Sequence, residues 1–291
     1  MSEIVYLNGS LIPVSQANIS ALDYGFLYGF GLFETLRAYG GKVFLLDKHL
    51  RRLAHSAELL SLPIGTLDLE SAVMDIIRVN KLSHARIRIT ISIGEGEIVP
   101  TPSTCNGPTV LILARRYEPH PERVYAKGFR AVISSNRRNS QSLLSQLKST
   151  NYLESILSKQ EAKEDEADEA ICLNERGLLA EASMSNIFLV TDGIVRTPGL
   201  GSGILPGITR GVVLELALKL DINAIEQDIR LDELYYAQEA FLTNSLIEVM
   251  PLTEVDGKFI GSGKPGPITQ KLMSAYRKMV RMRKEFLPRR S

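Results

Sequence analysis

The residues best suited to chemistry begin with one lysine. Lys148 stands in Leu147-Lys148-Ser149-Thr150-Asn151-Tyr152-Leu153-Glu154, just after a run rich in Ser, Asn and Arg from Ser134 to Ser145. The apolar spacing Tyr152, Leu153, Ile156, Leu157 predicts a helix that follows it, with the lysine at its mouth. An amine desolvated at such a place favours its neutral, nucleophilic form, the requirement for a Schiff-base lysine. Three other features share a chemistry with it. Pro206-Gly207-Ile208-Thr209-Arg210 puts a glycine before the amides of a helix start, which makes an anion site, and the Thr209 hydroxyl adds a donor. Arg52 offers a planar fork suited to phosphate. Glu181, between small residues in Ala180-Glu181-Ala182-Ser183, can hold a proton on a pyridine nitrogen. Thr243-Asn244-Ser245 adds a polar cluster at a strand end. Together they could serve one phosphorylated, charged cofactor. Each also has an ordinary reading, as a surface lysine, a helix cap, a surface ion pair or a solvated glutamate. Spacing alone does not bring them together.

The elements that must position these groups are readable in outline. Asn8-Gly9 joins Ile4–Leu7 to Leu11–Val14 as a hairpin, with Pro13 marking an edge strand. In Asp23 to Gly31 three glycines alternate with aromatics, so the backbone bends closely around something bulky. Gly40-Gly41 makes a second hairpin, and Asp47 reads as the N-cap of a helix through Leu60, on which His49 and Arg52 share a face. A second helix is expected from Leu67 to Asn80. Residues 85–93 alternate strictly, Ile87, Ile89, Ile91 and Ile93 to one side and Arg86, Arg88, Thr90 and Ser92 to the other, as in a half-buried strand. Glu118-Pro119-His120-Pro121-Glu122 is the best linker, so domains are expected over 1–120 and 121–291. Strands at Phe129–Ser134 and Glu169–Leu173 should flank the Lys148 helix. Strands and helices intermix with many hairpins, which predicts an α+β arrangement. No GxGxxG follows a strand, which argues against a dinucleotide site.

Composition narrows the class. The chain has 291 residues, 44% of them hydrophobic, and a net charge of +1. This is an ordinary globular balance with no electrostatic footprint for nucleic acid or an anionic membrane. The basic cluster from Arg277-Lys278 to Arg290 reads as a solvated helix face and a tail. Cys105 and Cys172 lie far apart without CxxC spacing, so no disulfide framework or metal site is expected. The start Met1-Ser2-Glu3-Ile4 has no export signal, and a cytoplasmic location is expected.

From Asp23 to Met250 the sequence resembles the fold-type IV, or class IV aminotransferase, family of pyridoxal-phosphate enzymes. The carriers are Gly29-Phe30-Gly31-Leu32-Phe33-Glu34-Thr35, His49-Leu50-Arg51-Arg52-Leu53, Lys148-Ser149-Thr150-Asn151, Glu181 through Phe188, and Ile204 through Arg210. The resemblance implies a small N-terminal α/β domain and a larger C-terminal domain with a barrel-like sheet, D-amino-acid aminotransferase-like, carrying the lysine. It implies a site between the domains, completed across a homodimer. Lys148 would bind pyridoxal 5'-phosphate and relay the proton at the substrate carbon. Glu181 would pair with the pyridine nitrogen, and Arg52, Ile208, Thr209, Asn244 and Ser245 would hold the cofactor. Tyr28, Arg86, Arg88 and Leu246 are candidates for contacting the small-molecule substrate. Branched-chain aminotransferases, D-amino-acid aminotransferases and aminodeoxychorismate lyases share these parts. Ser149-Thr150-Asn151, Met184-Ser185-Asn186 and Phe241 through Leu246 depart from the branched-chain pattern. Thr35 sits where lyases place a threonine, and no Arg-x-His carboxylate trap follows Gly96. These departures favour a 4-amino-4-deoxychorismate lyase releasing pyruvate and 4-aminobenzoate, with Thr35 as the substrate-side hydroxyl. A branched-chain or D-amino-acid aminotransferase is the alternative, and a non-catalytic binding relative a remote one.

Overall fold

A computed structural model describes residues 3–285, with side chains through residue 282. It divides into two compact units. The first holds the residues up to Glu118 together with Leu147–Asn151, and the second holds Pro119–Gln146 and Tyr152–Met282. The linker thus begins the second unit. The lysine segment, expected in the second domain, groups with the first.

In the first unit the elements are β1 (Ile4–Leu7), β2 (Ser10–Pro13), α1 (Tyr24–Tyr28), β3 (Gly31–Tyr39), β4 (Lys42–Val43), α2 (Leu46–Leu59), α3 (Leu69–Val79), β5 (Ala85–Ser92) and β6 (Thr109–Arg116). The strands form one sheet in the order β2-β1-β6-β5-β3-β4, with every pairing antiparallel. The alternation in β5 has its expected cause. Ile87, Ile89 and Ile91 are buried in a core with Leu36 of β3, Leu53 and Ala57 of α2, and Val73 and Ile76 of α3. Asn8 and Gly9 take positive φ in the first hairpin. Asp47 is not the cap of α2. Leu45 occupies the cap position, and Asp47 lies in the first turn, paired with Arg51 at 2.7 Å.

The second unit holds α4 (Glu122–Lys127), β7 (Phe129–Arg138), α5 (Leu153–Glu164), β8 (Glu169–Asn174), β9 (Leu179–Ala182), β10 (Asn186–Thr191), β11 (Ile194–Pro198), α6 (Ile208–Lys219), β12 (Ala224–Gln227), α7 (Leu231–Tyr236), β13 (Glu239–Asn244), β14 (Glu248–Val255), β15 (Lys258–Phe259) and α8 (Pro267–Glu285). Its nine-stranded sheet runs β12-β11-β10-β13-β14-β7-β8-β9, with β15 beside β14. The sheet is mixed, with β7 parallel to both β14 and β8 and β11 parallel to β12. It curls until β9, at one end of the order, lies against β10 and β11, which makes the expected barrel-like half-closure.

Helix α5 departs from expectation in two ways. It starts at Leu153, so Lys148 lies in the extended chain before it rather than at its mouth. Its apolar residues also face outward, with Leu153 66% exposed and Ile156 and Leu157 exposed too, while Ser155, Ser158 and Ala162 are buried. Small side chains let the helix lie close to the sheet, where the Ser134 hydroxyl of β7 donates to that of Ser158 at 2.9 Å. The basic cluster in α8 is not simply solvated either. Arg277 pairs with Glu122 and Glu248 and stacks over Tyr125, and residues 286–290 lie outside the described region. Among the described residues no helix is long and apolar enough to cross a membrane.

Candidate active site

The lysine segment is held as an extra strand-like piece against β3. The Phe33 amide donates to the Lys148 carbonyl at 2.8 Å, and the Thr150 amide donates to the Gly31 carbonyl at 2.9 Å. The Thr150 hydroxyl donates to the Gly29 carbonyl at 2.6 Å, as does the Asn151 side-chain amide at 2.9 Å. Ser149-Thr150-Asn151 is therefore the staple that fixes the lysine. Gly29 has φ +67, and a Cβ there would lie 2.8 Å from the Asn151 Oδ1, so the bend found in the sequence serves close approach to this staple. The Lys148 Nζ lies 4.5 Å from the Phe33 ring centroid, and the Arg88 guanidinium lies 3.8 Å from the same centroid.

Strand β3 sorts its residues by period two. Leu32 and Leu36 enter the core, so Glu34 between them points the same way, under α2. A carboxylate in that stripe is costly unless paired, and here it is paired from above. The Arg52 Nε donates to the Glu34 Oε1 at 2.8 Å and its Nη2 to Oε2 at 2.7 Å, a bidentate fork. The His49 Nδ1 donates to Oε2 at 2.7 Å. Burial alone would raise the Glu34 carboxyl, but the Arg52 charge and the donors outweigh it and hold it at about 2, against 4.5 ordinarily. Burial depresses His49 below its ordinary 6.5, against the pull of Glu34 and helped by the Arg52 and Lys148 charges. Both groups bind fewer protons folded than unfolded, so both stabilise the fold less as pH falls. Unfolding midpoints should drop as pH falls below 6.5, where the unfolded histidine charges, and further from 4.5 towards 2, as the unfolded carboxylate does. Thermal unfolding across that range checks this, and a flat midpoint down to about pH 4 would contradict it.

The other face of the sheet carries Phe33 and Thr35, opposite Thr90 and Arg88 by register. Thr35 thus shares a face with Arg88. Arg86 lies opposite Arg37 and is exposed. Tyr28 is turned to another partner, its hydroxyl donating to the Ile98 carbonyl.

In the second unit Glu181 is buried at the end of β9. Its Oε1 meets the Arg138 Nη2 at 2.8 Å, and its Oε2 accepts from the Leu205 amide at 3.0 Å and the Asn186 side-chain amide at 3.2 Å. Asn186 also donates to the Leu205 carbonyl at 3.0 Å, which ties the carboxylate to the loop before α6. Gly207 caps that helix without a side chain, and a Cβ there would lie 1.9 Å from the Asn186 Oδ1. Its glycine is a packing requirement, and it leaves the amides of Ile208 and the buried Thr209 at a bare helix N-terminus. Thr243, beside Asn186 on the sheet, has a buried hydroxyl with no hydrogen-bond partner among the described residues. Asn244 is already fully occupied. Its Oδ1 accepts from the Leu246 and Ile247 amides at 2.8 and 2.9 Å, and its amide donates to the Ser185 hydroxyl at 2.9 Å and the Met184 carbonyl at 3.2 Å. Its side chain thus shapes the turn that carries Ser245 and Leu246.

Arg138, Asn186 and Tyr152 are absent from the sequence-based set. Tyr152 reads there as an apolar helix position, but it caps α5, and its phenol is pushed up to about 12 by burial first and the Glu181 charge next, against Arg138. It therefore remains a hydrogen-bond donor at neutral pH. The first unit thus offers a fixed amine and a fixed guanidinium. The second offers an anchored carboxylate, a phenol and a helix N-terminus that attracts anions.

Comparison with known proteins shows the family. The family model for class IV amino-transferases matches residues 31–255. The branched-chain-amino-acid aminotransferase of Pseudomonas aeruginosa is 34% identical over 282 residues, covering 94% of this chain and 91% of the relative. The aminodeoxychorismate lyase of Bacillus subtilis is 32% identical over 282 residues, covering 96% and 95%. The crystal structure of the branched-chain amino acid aminotransferase from Thermobaculum terrenum in its PLP form superposes with a TM-score of 0.85 at 30% identity, covering 97% of this chain and 95% of that one. The family model spans most of the chain and the solved structure superposes over nearly all of it, so this chain belongs to the class IV aminotransferase family.

Proposed function

We propose that this chain is a pyridoxal-phosphate-dependent aminotransferase that moves the amino group of a branched-chain amino acid to a 2-keto acid. The observation carrying the reaction type is near full-length likeness to branched-chain aminotransferases in both sequence and structure. This moves the weight away from the lyase favoured by local motifs. The chemistry of the residues fits the cofactor, with a buried anchored carboxylate, a helix N-terminus and an unpaired Thr243 hydroxyl.

Pyridoxal phosphate, when bound, supplies an electron sink that makes the proton on the substrate's α carbon removable. The chain's own residues do the rest. The Lys148 amine would hold the cofactor through its aldehyde carbon and would serve as the base that takes, and the acid that returns, the proton of the substrate's α carbon. The Phe33 amide and the Thr150 staple keep its backbone still during that exchange. The Glu181 carboxylate, anchored by Arg138 and two further donors, would hold a proton on the ring nitrogen. The Tyr152 phenol, protonated at neutral pH, would be able to donate to the ring oxygen. Within the first unit Arg52, oriented by Glu34, would suit the phosphate; within the second unit the amides of Ile208 and Thr209 and the Ser245 hydroxyl would suit it. Arg88 meets the substrate carboxylate. A homodimer fits the apolar side chains exposed on the first unit, Ile19, Leu22, Phe26 and Leu27.

The lyase is the second reading, supported by the Bacillus subtilis relative and by Thr35 on the Arg88 face. Incubation with leucine and 2-oxoglutarate, with D-alanine and 2-oxoglutarate, and with aminodeoxychorismate separates them. Rapid amino transfer from leucine is expected. Formation of 4-aminobenzoate without amino transfer from leucine would overturn the aminotransferase reading.

A further inference from the structure

Glu169 begins β8 and is buried, although no step above uses it. Its Oε1 accepts from the Ser183 hydroxyl and from the Ala170 amide at 3.0 Å, and the Lys159 Nζ lies 3.6 Å away. Its Oε2 accepts from the Ser185 hydroxyl at 3.5 Å. Ser183 and Ser185 bracket Met184 in the turn between β9 and β10. The Ser185 hydroxyl then accepts from the Asn244 amide, and the Asn244 Oδ1 accepts from the Leu246 and Ile247 amides. A continuous chain of hydrogen bonds thus runs from a buried carboxylate to the backbone of the turn after β13.

The cost of this arrangement shows its use. An apolar residue at the start of β8 would be buried at less expense than a carboxylate with a half-exposed counter-ion. A carboxylate provides acceptor directions that converge on two serines of one turn, and a satisfied polar network fixes geometry more sharply than packing does.

We propose that Glu169 is a positioning residue that sets the turn after β13 through Ser183, Ser185 and Asn244, and so places Ser245 against the cofactor phosphate. This rests on the reading above that Ser245 helps hold that phosphate. The role is structural support of a binding surface, so its signature is selective for the phosphate.

Apoenzyme titrated with pyridoxal phosphate and, separately, with pyridoxal provides that signature. Glu169→Ala should weaken pyridoxal phosphate roughly tenfold while leaving pyridoxal within about twofold of the parent. Glu169→Gln keeps an acceptor for Ser183 and should restore most of the loss. Ser185→Ala removes the next partner and should repeat the selective loss if Glu169→Ala fails to fold. An equal weakening of both ligands, or no change in their ratio, would overturn the proposal. Ser245→Ala and Thr209→Ala separate the two layers of inference. If they leave the ratio at its parent value, the phosphate-site reading fails. If they shift it and neither Glu169→Ala nor Ser185→Ala does, only the role of Glu169 fails.

Discussion

Replacing Lys148 by alanine should abolish turnover while leaving the fold intact. The hydrogen bonds that place this segment use its carbonyl, the Thr150 amide and hydroxyl, and the Asn151 side chain. These bonds run through the backbone and the neighbouring side chains, and the lysine side chain approaches the Phe33 ring at 4.5 Å. An exposed or half-buried cation–π contact contributes about 1 kcal/mol, so the unfolding midpoint should move by only a few degrees. Catalysis loses both a covalent anchor and a proton carrier. General acid–base transfer by a positioned side chain contributes about a hundredfold to ten-thousandfold, so turnover should fall by at least about a thousandfold. The visible absorption of lysine-bound cofactor should vanish, although the phosphate contacts still allow pyridoxal phosphate to bind. Turnover within about tenfold of the parent would sink the assignment of Lys148. A loss matched by a collapsed unfolding midpoint would instead show a structural lysine.

The lysine's environment shows what was readable along the chain. Ser149-Thr150-Asn151 stands out in the sequence, but its use is visible only once the Gly29 and Gly31 carbonyls arrive opposite it. The spacing of His49 and Arg52 places them on one helix face, and strand periodicity places Glu34 in the core stripe. Each pattern is local, whereas their meeting is a product of packing α2 on β3. Helix α5 misleads because periodicity tells which residues are apolar, not which face a neighbour covers. The sheet accepts Ser155, Ser158 and Ala162, small enough for close approach, and Leu153 and Ile156 are left outside. Arg138 and Asn186 carry no signal of their own, because their value depends on where the Glu181 carboxylate comes to rest. Asn244 is legible as polar and near a strand end, but the four hydrogen bonds by which it shapes the turn after β13 come from residues that only the fold brings to it. The departures at Ser149 through Asn151 describe how the lysine segment is stapled to β3, a matter of positioning that does not by itself fix a reaction.

The Glu181–Arg138 pair carries the second large effect, because it joins stability and catalysis. The two side chains meet at 2.8 Å with exposures of 16% for Arg138 and 6% for Glu181. Removing one partner of such a pair leaves a charge without its counter-charge, which costs about 3 kcal/mol. Glu181→Gln meets a further difficulty. Both carboxylate oxygens receive donors, from Arg138 on one side and from Leu205 and Asn186 on the other. Glutamine has one acceptor oxygen, so its amide must point at a donor whichever way it turns. The variant should therefore be destabilised, and at temperatures where it stays folded its turnover should fall at least about a hundredfold, because a neutral amide cannot hold the ring proton. Arg138→Met should also lower turnover, by removing the guanidinium that meets Glu181 at 2.8 Å. The double variant Arg138→Met with Glu181→Gln should be less destabilised than the sum of the two, since the second change removes the charge that the first left unpaired. Additive losses would mean that the pair does not act as a unit. Glu181→Gln with parental turnover and an unchanged unfolding midpoint would take from Glu181 both the ring nitrogen and its place in the fold.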